Sequence, residues 1–211
     1  MTGAVSADTI MYAERIPECT VLGPFRRAVI WVSGCCFDCE GCIAQNFRHR
    51  NGIITTVREM GDWILGLEEG IEGVTLSGGE PFLQAEPVAE MLSRVRRERD
   101  FGVIVYSGFT YEQLRERASS DRGTAGLLGL TDLLIDGQYR QELDDNRPYV
   151  GSSNQRILLL TDRYRECWRH YYLEKKGRDV QIVLSEGKTL LAGVPGKDQE
   201  QFWRNLNQQF S

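Results

Sequence analysis

The segment Gly34-Cys35-Cys36-Phe37-Asp38-Cys39-Glu40-Gly41-Cys42 gathers four of the six cysteines of the chain into eight positions. Counted from Cys35, the spacing is C-x3-C-x2-C. Three thiolates from one short loop can hold three corners of an iron–sulfur cube, which leaves the fourth iron open to a small molecule. Counted from Cys36, the spacing is C-x2-C-x2-C, so one of the two adjacent cysteines is surplus. Structural zinc is the alternative. Such sites usually close with four protein ligands, commonly two pairs from separate loops. Here the fourth could only be Cys36, His49 or a distant group, because no CxxC exists outside this segment. An electron-transfer ferredoxin would want a fourth cysteine at a suitable spacing.

Two further places carry polar groups suited to a ligand. In Thr75-Leu76-Ser77-Gly78-Gly79-Glu80-Pro81, two glycines let a ligand approach the backbone closely, and the Glu80 carboxylate could hold an ammonium group. In Leu134-Ile135-Asp136-Gly137, the aspartate ends an apolar run. A carboxylate there ordinarily serves a turn or a helix cap, and it can also grip the two hydroxyls of a ribose. Ser107, in Tyr106-Ser107-Gly108, stands at a similar strand end.

These groups must be positioned by strands and helices, and the sequence alternates between the two. Ala28 to Val32 is a buried strand running straight into the cysteines. Thr56 to Leu67 is a helix, Gly73 to Leu76 a strand, Pro87 to Arg99 a helix and Val103 to Tyr106 a strand. Tyr111 to Ala118 is helical, and Leu133 to Ile135 is a fourth strand. The alternation predicts parallel βαβ units, with the cysteines, the glycine turn, Ser107 and Asp136 all at one edge of one sheet.

Gln155 to Leu160 is expected as a fifth parallel strand, and Arg163 to Glu174 as a helix. Val180 to Leu184 and Thr189 to Ala192 flank Glu186-Gly187 as a hairpin. Phe202, Leu206 and Phe210 form one apolar stripe for docking. An eight-unit barrel needs about 250 residues. At 211 residues the expected α/β fold is a partial (β/α) barrel of mostly parallel strands. Residues 1–160 would form the core, with 161–211 a helix, hairpin and helix packed on it within the same domain.

Composition narrows the function. With 41% hydrophobic and 26% charged residues and a net charge of −5, the chain has no excess of cations for a nucleic-acid backbone. The run Arg94-Val95-Arg96-Arg97 falls in a helical pattern and reads as a solvated face. No apolar run reaches the roughly 18–20 residues of a membrane span, and Met1 to Asp8 lack the features of a secretory signal. A cytoplasmic, reducing location is expected, where clustered cysteines mean metal or redox chemistry. Cys19 and Cys167 stand apart and read as packed side chains, and His49 and His170 as surface residues.

The C-x3-C-x2-C loop after the first of these strands and the GGE turn after the second resemble the radical S-adenosylmethionine superfamily. Within it, the chain is similar to the glycyl-radical-enzyme activases of anaerobic ribonucleotide reductases. That likeness rests on Trp31-Val32-Ser33-Gly34-Cys35, Cys39-Glu40-Gly41-Cys42, Leu134-Ile135-Asp136-Gly137 and Gly151-Ser152-Ser153-Asn154-Gln155. The resemblance implies a 4Fe-4S cluster on Cys35, Cys39 and Cys42, with S-adenosyl-L-methionine on its open iron. Gly78, Gly79 and Glu80 would meet the methionine amine, and the backbone of Gly41, Cys42 and Ile43 the adenine. Ser107 lies at the same edge, and Asp136 would meet the ribose.

Reductive cleavage would give a 5′-deoxyadenosyl radical, and the partner would be a large glycyl radical enzyme. An electron donor such as flavodoxin or ferredoxin is implied as well. Related activators often carry lysine two residues after the aspartate, where this chain has Gln138. A cation to steady Asp136 would then come from elsewhere. A maturase acting on a peptide or small molecule shares much of this pattern, and a zinc-stabilised interaction domain is the non-enzymatic alternative.

Overall fold

The computed structural model describes residues 8–173, 177–185 and 188–196. Its elements in chain order are β1 (Thr9–Cys19), β2 (Arg27–Val32), β3 (Ile53–Thr56), α1 (Val57–Leu65), β4 (Gly73–Gly78), α2 (Ala85–Glu98) and β5 (Gly102–Ser107). There follow α3 (Tyr111–Ala118), α4 (Arg122–Leu130), β6 (Leu133–Asp136), β7 (Arg156–Leu159), α5 (Arg165–Trp168), β8 (Val180–Ser185) and β9 (Lys188–Gly193).

Seven strands form one sheet in the order β3-β1-β2-β4-β5-β6-β7. Its centre, β2, β4, β5 and β6, is parallel. These strands are apolar on both sides because both faces of the sheet are covered. Ile30, Val74, Leu76, Val105 and Leu134 meet α1, α2, α3 and α4 through residues such as Met60, Leu92, Leu114 and Leu127. On the other face Val29 and Trp31 pack with Ala192 of β9, and Ile104 and Ile135 with Tyr164. The hairpin β8–β9 is antiparallel, as its sequence predicts.

Helix starts follow local chemistry. Thr56 and Glu59 form a capping box at α1, as Thr110 and Gln113 do at α3, so the first turns have their orphan N–H groups met. The basic run on α2 is not simply solvated, since Arg94 reaches Asp62 at 2.7 Å and Arg96 pairs with Asp132. Among the described residues, no helix is long and apolar enough to cross a membrane.

One expectation is corrected. β7 is antiparallel to β6, with Asp136 opposite Arg156. A parallel return needs a crossover that carries the chain to the far end of the sheet. Residues 137–155 instead remain near the edge where β6 ends, tied together by bonds such as Gln155 Nε2 to the Gly137 carbonyl at 2.9 Å and Ser153 N–H to the Leu143 carbonyl at 2.7 Å. The chain therefore re-enters from the end it left. The helix expected to Glu174 is seen as α5 and a π turn over Arg169–Leu173. The Phe202, Leu206 and Phe210 stripe and Trp203 lie outside the described residues.

Candidate cofactor site

The cysteine loop leaves β2 at Val32 and is fastened on two sides. Gly34 N–H bonds the Phe47 carbonyl at 2.8 Å and Cys35 N–H that of Arg48 at 3.0 Å. From the other side, Gly79 N–H donates to the Val32 carbonyl at 2.8 Å and Glu80 N–H to the Gly34 carbonyl at 2.9 Å. Such contact needs glycine. Gly34 and Gly78 have φ of +103° and +96°, and a Cβ on Gly79 would lie 2.2 Å from the Gly34 oxygen. The glycine turn and the start of the cysteine loop thus form one backbone-to-backbone unit.

Gln84 braces that unit from beneath. Its amide accepts from Met11 N–H at 2.7 Å and donates to the carbonyls of Met11 and Ser33 at 2.8 and 3.2 Å. Phe37 extends the loop across to the end of β5, where it meets Phe109 edge-on at 4.8 Å between centroids.

Of the three expected ligands, Cys35 takes a backbone hydrogen bond at sulfur, from Phe37 N–H at 3.4 Å. The backbones of Tyr139 and Ala44 act on Cys39 and Cys42 in the direction that favours the thiolate. Burial pushes all three thiols up, Cys35 to about 11. Charge on Cys42 also disfavours charge on Cys35 and on Cys39, so these sulfurs share one neighbourhood. Thiolates are stabilised there by a positive metal centre, and N–H groups aimed at sulfur are among the features that tune iron–sulfur clusters. The donor set therefore fits the cluster.

Among the described residues, no three His, Cys, Asp or Glu side chains are gathered tightly enough to clasp a single metal ion. Cys36 is exposed, Cys19 is buried and Cys167 is half-buried. His49 and His170 are exposed.

Glu80 is 1% exposed and fully engaged. Oε1 accepts from Phe82 N–H at 3.0 Å and from the Ser107 hydroxyl at 2.9 Å, and Oε2 accepts from Gly108 N–H at 2.7 Å. Burial still pushes it up to about 7. Its carboxylate joins the turn after β4 to the turn after β5, and Ser107 is drawn into the same bond.

Asp136 is likewise committed. Oδ2 accepts from Tyr111 N–H at 2.6 Å, at the first turn of α3, and Arg156 closes on both oxygens at 3.0 and 2.5 Å. Asp136 thus takes the capping role ordinary for a carboxylate at a strand end and is ion-paired as well. The reason is geometric: Asp136 shares the helix-covered face with Leu134, directly below the start of α3.

Arg156 is the cation that Gln138 does not supply. It also grips Glu112 through both oxygens at 3.1 and 2.6 Å. Sequence reasoning missed it because its partner is set by strand register. At the far side of the loop, Gly41 has φ +71° and faces Gln141 and Tyr139, while Ile43 stands 61% exposed.

A family model described as "4Fe-4S single cluster domain" matches residues 21–158. The anaerobic ribonucleoside-triphosphate reductase-activating protein of Enterobacteria phage T4 is 30% identical over 166 residues, which covers 76% of this chain and 99% of the phage protein. The proteins of the same name from Vibrio cholerae and Escherichia coli K12 are 31% and 29% identical over 158 residues, covering 71% of this chain and 98% of their own length.

Proposed function

This chain belongs to the 4Fe-4S single cluster domain family and to the anaerobic ribonucleoside-triphosphate reductase-activating proteins, and we propose that it is a radical S-adenosylmethionine activase acting on a partner reductase. The observation that carries the reading is the backbone union of the cysteine loop with the Gly78-Gly79 turn, through Gly79 N–H to Val32 and Glu80 N–H to Gly34. It sets the cysteine loop beside two residues that carry no side chain, which supports a three-cysteine cluster site next to a ligand ledge.

In this reading Cys35, Cys39 and Cys42 hold the 4Fe-4S cluster and leave one iron for S-adenosyl-L-methionine. With both bound, the cofactors would supply the chemistry of one-electron reductive cleavage at the sulfonium, the electron coming from an external donor, and thereby hydrogen-atom abstraction at a glycine of the partner. Gly78 and Gly79 give the methionine end room against the backbone. Glu80 fixes that turn through Ser107 and Gly108 rather than offering a free carboxylate. The Gly41 to Ile43 backbone, with the exposed Ile43 side chain, receives the adenine. Asp136 and Arg156 hold the edge on which the ribose would lie. Phe37 and Phe109 shield the cysteine loop from water.

The parallel centre of the sheet supports a partial barrel. The packing of Tyr164 and Ala192 into the core supports one domain. A flavodoxin or ferredoxin as electron donor completes the proposal.

The test is anaerobic reconstitution with iron and sulfide, reduction with dithionite and addition of S-adenosylmethionine, with Cys39→Ala as control. Formation of 5′-deoxyadenosine that depends on cluster and reductant is expected. Stoichiometric zinc without a cluster would sink the reading. Cleavage followed by radical transfer to something other than a reductase glycine would favour a maturase.

A further inference from the structure

Arg178 lies outside the 21–158 span matched by the cluster-domain family, yet it is among the most completely bonded side chains described. Its side chain is 1% exposed. A guanidinium has five N–H donors, and here five hydrogen bonds are made. Nε reaches the Arg147 carbonyl at 2.9 Å. Nη1 reaches Asp144 Oδ2 and the Pro195 carbonyl, each at 3.0 Å. Nη2 reaches Asp144 Oδ1 at 2.8 Å and the Gly151 carbonyl at 2.9 Å. One side chain at the foot of the hairpin thus gathers three points of the 144–151 segment.

That segment is held in unusual conformations. Asn146 and Tyr149 have φ of +65° and +66°, which non-glycine residues keep only when their surroundings over-determine them. Tyr149 is clasped by Trp168 and Tyr172 at 5.8 and 6.5 Å between centroids.

The gathered segment leads to the cysteine loop. Gly151 lies against the Tyr139 ring, since a Cβ there would meet Tyr139 Cδ2 at 2.7 Å. Gly151 and Ser152 N–H both donate to Gln155 Oε1, and Gln155 Nε2 donates to the Gly137 carbonyl. Arg140 N–H is bonded by the Ser152 hydroxyl at 3.1 Å. Between these two braces stands Tyr139, whose ring lies with the Gln141 side chain against Gly41, between Cys39 and Cys42, and whose backbone favours the Cys39 thiolate.

We propose that Arg178 is a positioning residue for the cluster site, which holds the 138–154 loop so that Tyr139 and Gln141 stay packed against Gly41, between Cys39 and Cys42. The proposal rests on the reading of Cys39 as a cluster ligand. Backbone dipoles that favour a ligand thiolate also favour the reduced, more negative cluster, and outer partners of metal ligands commonly govern retention about 10–100-fold. The C-terminal hairpin is then joined to the cofactor and is more than a cover for the sheet. Because the bonds form a fork on Asp144 with carbonyls on either side, a lysine of equal charge cannot replace it.

The test compares the full chain with Arg178→Lys, Arg178→Gln and Asp144→Asn, each reconstituted anaerobically with iron and sulfide. Asp144→Asn removes the ion pair while leaving the three carbonyl bonds, so it remains informative should the Arg178 variants fail to fold. Expected are unchanged far-ultraviolet circular dichroism, faster amide exchange across residues 138–154 and about tenfold faster iron release to a ferrous chelator. A more negative cluster reduction potential should accompany them, with Arg178→Lys resembling Arg178→Gln. Faster exchange with unaltered iron release and potential would overturn the proposal, as would full rescue by lysine. A wild-type chain that takes up no cluster would remove the proposal together with the cluster reading. That failure is recognisable because it appears before any variant is compared.

Discussion

Arg156 and Asp136 face each other across β7 and β6, and the guanidinium of the first closes both carboxylate oxygens of the second. Asp136 is 1% exposed, whereas the Arg156 side chain is 44% exposed. The buried charge therefore depends on a partner that is itself half in water. Because Tyr111 N–H shares Asp136 and Glu112 shares Arg156, the pair also sets where α3 begins.

Removing Arg156 should strand the buried carboxylate. A fully buried pair broken on one side costs about 3–5 kcal/mol. With Arg156 half exposed, water recovers part of that, and Arg156→Gln should cost about 2 kcal/mol in urea unfolding of the cluster-free chain. Glu112→Gln, at an exposed site, should cost clearly less. Equal losses in the two variants would show that Asp136 draws nothing special from the guanidinium.

Glu80 should give the protein a pH-dependent stability of unusual sign. Its folded value is raised from 4.5 to about 7 by burial. The native state then holds this proton more tightly than the unfolded chain does. The contribution is fully present below pH 4.5 and is lost as pH rises through 7. The Ser107 hydroxyl can serve either state, because it accepts from Phe109 N–H at 3.1 Å and can turn its own hydrogen toward or away from Glu80. Between pH 5 and pH 8 the cluster-free wild type should lose about 2–3 kcal/mol that Glu80→Gln does not lose. The glutamine should itself be less stable at pH 5, since one backbone N–H must then face an amide N–H. Parallel pH profiles for the two chains would contradict the assignment.

The parts of the molecule that could be read from sequence are those where one residue pattern admits one structure. Ala28 to Val32 is apolar on both faces, and only a central strand buries both. Thr110-x-x-Gln113 predicts where α3 begins because both halves of the cap are local. β1 was not legible: its bulges between Tyr12 and Glu14 and between Ile16 and Cys19 break the alternation that marks a strand. α4 was hidden by Gly123, Gly126 and Gly129. Gly123 is required by packing, since a Cβ there would lie 2.7 Å from the Glu86 backbone of α2.

In the site, residue types and spacing located the cysteines, the turn and the strand ends, but not what each carboxylate touches. For Glu80 and Asp136 the fold adds the partners Gly108, Tyr111 and Arg156. Those partners lie 28, 25 and 20 positions away in sequence, beyond any local pattern.

The adjacent cysteines should separate cleanly. Cys36 is exposed while Cys35 and Cys39 are half-buried, and Cys35 takes an N–H bond from Phe37. Cys36→Ala should therefore keep the iron and sulfide content of the wild type after reconstitution, and Cys39→Ala should lose most of it. Equal iron loss in the two variants would move the first ligand from Cys35 to Cys36 and change the motif to C-x2-C-x2-C.

Gly79→Ala tests whether the union of turn and loop matters to the cofactors or only to the fold. The added carbon would meet the Gly34 oxygen at 2.2 Å and its carbonyl carbon at 2.7 Å, both backbone atoms that no rotamer change can move aside. The turn and the loop must part, at the expense of the bond from Glu80 N–H to Gly34. Overpacking of this kind costs about 1–3 kcal/mol, which should lower the unfolding midpoint while leaving a folded chain. If the ledge receives the methionine end beside the open iron, the variant should still bind a cluster through its three cysteines. It should also show a KM for S-adenosylmethionine raised more than tenfold, with a weakened change in the electron paramagnetic resonance spectrum on adding it. Gly129→Ala, where an added Cβ meets nothing within 4 Å, is the matched control. A Gly79→Ala protein that is destabilised but keeps its KM and its spectral response would assign the glycine turn to folding alone and take the ligand ledge out of the mechanism.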